Sequence, residues 1–101
     1  MTPDELVPLA WLAGRSLGLD EDELRGPIRR AMLLLASGGD PTREHGLALD
    51  GRAVTALAEE LLTEERRERL VAELRELGAD VDPELAWSAF ACSLLAEELA
   101  D

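Results

Sequence analysis

The side chains that most often carry out catalysis are scarce in this chain. His45 is its only histidine and Cys92 its only cysteine. One histidine rules out a His–His metal pair and a Glu-x-x-His di-iron motif. Cys92 lies in an apolar run, without the neighbouring base or helix N-terminus that would stabilise a thiolate. We predict that His45 is a solvated loop residue, with a lone acid–base group or pH sensor as the alternative, and that Cys92 is buried and structural.

Carboxylates are abundant, and two of their clusters superficially resemble calcium-binding loops. One occupies residues 20–23 and the other alternates over 80–84. Neither has the glycine at the sixth position and the glutamate at the twelfth that such a loop requires. Each stands where a helix is expected to begin, so we interpret both as helix caps. The glutamates within 59–65 would converge on a divalent cation only if the chain bends at Thr63, and a solvated helix face is the simpler expectation.

Arg25, Arg29 and Arg30 form the only local basic cluster in the first half of the chain. They would either hold an anion or pair with acids from the C-terminal half of the chain, and we expect the internal pairing. The glycines form no phosphate-binding pattern, and no Gly-x-Ser-x-Gly nucleophile motif is present. The sequence thus indicates no catalytic residue, cofactor site or metal site, and we predict a protein that is not an enzyme.

Aromatic side chains make up only 3% of the chain. Trp11 and Trp87 both fall on predicted helices with apolar neighbours, where core packing and an interface role are the two interpretations. Tryptophan is enriched among the residues that dominate protein–protein binding energy. Together with Phe90 and Leu94 of the last helix, these tryptophans are the candidate interface residues.

The elements that must position these residues are helices, and the most informative of them is the last. Residues 85–96 carry no charge and are flanked by acids on both sides. Asp82 as N-cap and Pro83 as first helical residue predict a helix over about residues 83–100. One of its faces is formed by Leu85, Ala89, Cys92, Ala96 and Leu99, and a second by Trp87, Phe90 or Ala91, and Leu94. Two apolar faces need two packing partners, so we predict that this helix is central.

Capping and apolar periodicity predict further helices at about 4–17, 27–37, 51–62 and 63–77. Pro8 is expected to cause a kink or a late start in the first. Gly26-Pro27 is expected to separate a short turn at 21–25 from the second helix. The fourth, capped by Thr63, has only a narrow stripe of leucines (Leu70, Leu74 and Leu77) and is expected to lie on the outside.

Composition agrees with this pattern. Leu and Ala dominate, whereas β-branched and aromatic residues, which favour strands, are few. We predict an all-α fold: a single domain, residues 1–101, that forms a small four- to five-helix bundle around the C-terminal helix. Lys, Asn and Tyr are absent, which is typical of a bacterial genome rich in GC.

The net charge of −12 disfavours direct binding to nucleic acid and to anionic membrane surfaces. The charge is distributed unevenly along the chain, since no lysine or arginine follows Arg75. A lone cysteine cannot form an intrachain disulfide, and no signal peptide or membrane-spanning run is recognisable, so a cytoplasmic location is expected.

Three functions remain open at the level of sequence. The first is a protein–protein interaction or accessory module, which self-associates, for instance as a homodimer, or binds another protein. The second is an acidic decoy for a basic, nucleic-acid-binding protein, which requires the acids after Arg75 to share one face. The third is a small ligand-binding protein or enzyme built on His45, Arg29 and Arg30. We favour the first.

Overall fold

The structure is a computed structural model that describes residues 3–38, 52–61 and 63–99. These residues contain five α-helices, a single-turn 3-10 helix at Arg15–Leu17 and no strand. The α-helices are α1 (Pro3–Gly14), α2 (Glu21–Gly38), α3 (Arg52–Leu61), α4 (Glu64–Glu76) and α5 (Pro83–Leu99). The predicted all-α bundle is confirmed. His45 lies outside the described residues. So do residues 40–44, where the sequence allows one helical turn, and Thr2 and Asp50, which it predicts as the N-caps of the first and third helices.

Short polar side chains begin three of the helices, as the sequence predicts. Thr63 has an extended backbone, and its hydroxyl accepts a hydrogen bond from the backbone N–H of Arg66 at 3.3 Å, at the start of α4. The Asp82 carboxylate accepts the N–H of Glu84 at 2.9 Å at the start of α5, and Asp20 accepts that of Asp22 at 3.4 Å before α2. Each bond satisfies an N–H group that has no partner within its helix.

The expected break at Gly26-Pro27 is wrong, because α2 runs from Glu21 to Gly38 through Pro27. Apolar residues on both sides of the proline pack on the same core, with Leu24 and Ile28 partly buried and Ala31 fully buried. Their spacing continues one helical face across position 27, so packing favours an unbroken helix. Gly26 helps, because a residue without a Cβ avoids the clash that a following proline creates in a helix. In α1, likewise, the helix begins at Pro3 and continues through Pro8.

Helix α5 lies at the centre and contacts all four other α-helices, as predicted. Alanines on its inner side let the neighbouring helices approach, and Phe90 and Leu95 fill the larger spaces between them. Helix α4 presents a charged face to solvent and buries Leu70 and Leu74 completely against the core. The predicted leucine stripe is wrong at Leu77, which is 46% exposed at the end of α4.

Candidate functional site

The structure brings three of the four candidate interface residues together at one cavity and places the fourth elsewhere. Phe90 is buried and packs against Gly14, where an added Cβ would lie 2.0 Å from Cε1 of the ring. It belongs to the core and is only 3% exposed. Phe90, Trp11 and Leu94 all line a small cavity of about 190 Å³ between α1, α2 and α5. Trp87 lies in a separate groove, so the structure does not bring the two tryptophans together.

Trp11 lies in an apolar surface that α1 and α5 build together. Val7, Pro8, Trp11 and Leu12 from α1 line an open depression of about 370 Å³ with Ser93, Ala96 and Glu97 from α5. Leu12 is 49% exposed and Ala96 is exposed, although the sequence places Ala96 on an inward face. We call Val7, Pro8, Trp11, Leu12 and Ala96 the Trp11 surface.

Charged groups of both signs border the Trp11 surface. The indole N–H of Trp11 donates a hydrogen bond to the Glu97 carboxylate at 2.6 Å. The guanidinium carbon of Arg15 lies 5.2 Å from the centre of the ring, which is cation–π distance. The ring is therefore fixed in orientation by an acid at its edge and a cation over its face.

Trp87 lines a groove of about 680 Å³ between α3, α4 and the start of α5. Its indole N–H donates a hydrogen bond to the backbone carbonyl of Ala58 at 2.7 Å, and the guanidinium carbon of Arg67 lies 4.7 Å from its ring centre. Leu85 opens into the same groove and is 38% exposed, so its predicted place on an inward face of α5 is wrong. We call this site the Trp87 groove. Its lining residues are Thr55, Ala58, Glu59, Arg67, Asp82, Glu84, Leu85, Trp87 and Ser88.

Two of the three arginines of the α2 cluster form ion pairs within the chain, and one of them, Arg30, pairs with the C-terminal half as expected. Arg30 forms an ion pair with Glu60 of α3, and Arg25 lies 3.7 Å from Asp22 of its own helix. Arg25 and Arg29 line an open cleft of about 590 Å³ between α2 and α5. Three carboxylates, those of Glu21, Glu97 and Glu98, line it as well, so its charges do not favour an anion.

Arg66 is a structural arginine that the sequence did not single out. Its guanidinium donates to the last described carbonyl of α3, that of Leu61, at 2.7 Å and pairs with Glu23 of α2. One side chain thus joins the start of α4 to two other helices. The contact to Glu23 joins residues 43 positions apart, so no local pattern in the sequence marks it.

Cys92 is buried, and that burial raises the pKa of its thiol above the ordinary value of 9.0. A raised pKa lowers the fraction of thiolate at neutral pH, and the thiolate is the nucleophilic form. These properties fit the structural role predicted for Cys92.

In the described ranges no three His, Cys, Asp or Glu side chains come together in a way that would hold a metal ion, and Glu60 of the 59–65 group pairs with Arg30. None of the helices in these ranges combines the length and the apolar character required to cross a membrane.

Of the acids that follow Arg75, Glu76 ends α4, and the others in the described residues lie at the two ends of α5. Asp80, Asp82 and Glu84 lie before or at its start, whereas Glu97 and Glu98 lie near its end. Glu97 follows Glu84 by thirteen positions, which is about 20 Å along a helix axis. The decoy hypothesis, which requires the acids after Arg75 to share one face, stays a prediction.

Comparison with known proteins gives the chain no relative: no protein-family model, curated protein or solved structure matches it.

Proposed function

We propose that this chain is a small, non-enzymatic protein-interaction module that associates with a second copy of itself through the Trp11 surface. The observation that carries the proposal is the apolar depression formed jointly by α1 and α5, in which Leu12 is half exposed. A surface of this kind, bordered by charged groups, is typical of protein–protein contacts.

The charges beside Trp11 support a second copy as the occupant. A two-fold dimer uses the same surface on both subunits, so that surface must be complementary to itself. Arg15 and Glu97 place one cation and one anion beside the same indole ring. A two-fold contact that brings the two Trp11 rings together can therefore pair Arg15 of one copy with Glu97 of the other.

We also propose a location for the protein and two classes of molecule that it does not bind. We place the protein in a bacterial cytoplasm, supported by its one buried cysteine, which cannot form an intrachain disulfide, and by its codon-biased composition. Its net charge of −12 supports the absence of direct binding to nucleic acid or to anionic membranes.

Sedimentation velocity of the full chain, in a concentration series up to about 100 μM, tests the self-association. We expect a species of twice the 11.0 kDa mass of one chain. Leu12→Glu should weaken the dimer at least about tenfold, because it places an unpaired carboxylate in the apolar centre.

Leu33→Glu is the matched control. Leu33 is 63% exposed on α2 and lines none of the cavities described above, so the same change of charge should leave the dimer intact. A wild-type chain that stays monomeric across the series would refute self-association. Equal weakening by the two substitutions would refute the Trp11 surface as its site.

A further inference from the structure

We propose that the Trp87 groove binds a cationic segment of another protein, in which an arginine or lysine stands next to an apolar side chain. The groove shares no residue with the Trp11 surface, so this partner is distinct from the second copy of the chain and independent of it.

The apolar part of the groove is preformed. The hydrogen bond from Trp87 to the Ala58 carbonyl ties the indole of α5 to α3 and fixes the plane of the ring. Leu85 lies two residues earlier on α5 and is 38% exposed. A ring that is already held in place loses little conformational entropy on binding, which favours it as an anchor for an apolar side chain.

The charged part of the groove has the opposite sign to the proposed ligand. Three carboxylates, those of Glu59, Asp82 and Glu84, face one guanidinium, that of Arg67. Asp82 also caps α5, but within the described residues neither Glu59 nor Glu84 forms an ion pair. These two exposed carboxylates are available to an incoming cation, and the net charge of −12 attracts cations from a distance.

Arg67 already makes with Trp87 the contact that we expect an arginine of the ligand to make. Arg67 places its guanidinium carbon 4.7 Å from the centre of the Trp87 ring. This contact shows that a guanidinium fits against the indole in this groove. Arg67 therefore competes with an incoming arginine, and its removal should free the ring face.

The shape of the groove favours a protein segment. It is open, about 680 Å³ in volume, and bounded by three helices, α3, α4 and α5. Grooves between helices commonly accept an amphipathic segment whose apolar side chains lie on the floor while its charged side chains meet the rim.

A phage-displayed library of random peptides, selected on the immobilised full chain, tests the chemistry of the ligand without presupposing a sequence. We expect the selected peptides to be enriched in arginine or lysine beside an apolar residue. Failure to select any peptide, or selection of peptides without that excess of cations, would overturn the proposal.

The most enriched peptide, synthesised and titrated by calorimetry, then tests the location. Glu59→Gln combined with Glu84→Gln should weaken binding about fivefold, as expected for two exposed ion pairs. The pair Glu68→Gln and Glu76→Gln removes the same charge from exposed positions of α4 outside the groove, and should change the affinity much less. Equal effects of the two pairs would overturn the assignment to the Trp87 groove.

Arg67→Ala tests the competition for the ring. It should strengthen peptide binding about threefold, because the face of Trp87 becomes free for the arginine of the peptide. Arg69→Ala makes the same change in net charge at an exposed position of α4 that does not line the groove. If both substitutions strengthen binding equally, long-range charge accounts for the effect and the stacking contact is refuted. Circular dichroism confirms that each variant is folded.

Discussion

At the scale of single residues, the core depends on a pairing between Gly14 and Phe90. Gly14 ends α1 with ordinary right-handed helical angles, φ −64° and ψ −24°, so the backbone does not require glycine there. Glycine is needed at this position for lack of space, because an added Cβ would meet three carbons of the Phe90 ring within 2.7 Å. The sequence predicts that Phe90 is apolar and lies on a helix, but its partner is 76 positions away. No local pattern reveals a contact of that kind, so the sequence leaves both a core role and an interface role open for Phe90.

We predict that Gly14→Ala lowers the free energy of unfolding by about 2 kcal/mol, because the methyl group overpacks the core. In an unhindered helix the same substitution would raise stability by about 1 kcal/mol. Urea denaturation of the wild type and the variant measures the difference.

Phe90→Leu provides the control, since a smaller side chain should make room for the new methyl group. We expect the double variant to lose less than the sum of the two single losses, by at least about 1 kcal/mol. Strictly additive losses would show that Gly14 and Phe90 do not constrain each other.

At the scale of elements, local signals in the sequence locate the starts of helices well. Thr63 and Asp82 cap α4 and α5 as predicted, because a cap is a contact between residues only two or three positions apart. Gly26-Pro27 shows the limit of such signals. A proline inside a helix is locally unfavourable, but Leu24, Ile28 and Ala31 gain burial only if the helix continues. The regular spacing of these three residues in the sequence is the indication of a continuous helix. Burial of their apolar face stabilises that helix by more than the proline destabilises it.

The effect of substituting Gly26 on stability should therefore depend on whether residue 27 is proline. In wild-type α2, Gly26→Ala should change stability little or reduce it, because the new Cβ clashes with the ring of Pro27. In a Pro27→Ala background the same substitution should raise the free energy of unfolding by about 1 kcal/mol, the usual advantage of alanine over glycine in a helix.

A double-mutant cycle followed by urea denaturation measures this coupling. An effect of Gly26→Ala that is the same in both backgrounds would contradict our explanation of how α2 passes through the proline.

At the scale of the whole molecule, an apolar centre is enclosed by a strongly anionic exterior. The bundle class and the central position of α5 follow from the uncharged run at 85–96, which stands out against the charged remainder. The surfaces do not follow from the sequence, because each combines residues from separate helices. The Trp11 surface needs α1 beside α5, and the Trp87 groove needs α3 and α4 beside α5. Helical periodicity describes one helix at a time, so it cannot predict such combinations.

The two proposed contacts should respond to salt with opposite signs. Two chains that each carry a charge of −12 repel each other, so screening should strengthen the dimer as sodium chloride rises from about 50 to 500 mM. A cationic peptide is attracted to the Trp87 groove, so the same screening should weaken its binding.

Sedimentation of the chain and calorimetry of the peptide, across one series of salt concentrations, measure both responses. A dimer that dissociates as salt is added would contradict the first expectation. Peptide binding that does not change with salt would contradict the second.

The contrasting hydrogen bonds of the two indoles give the molecule an optical property. The N–H of Trp11 meets a carboxylate at an exposed edge, whereas that of Trp87 meets a backbone carbonyl between two helices. Indole fluorescence depends on such surroundings, so the two rings should emit differently. Each can be replaced by phenylalanine in turn, since the chain has no other tryptophan and no tyrosine. The remaining emission would then report separately on the two ends of α5, without any added dye.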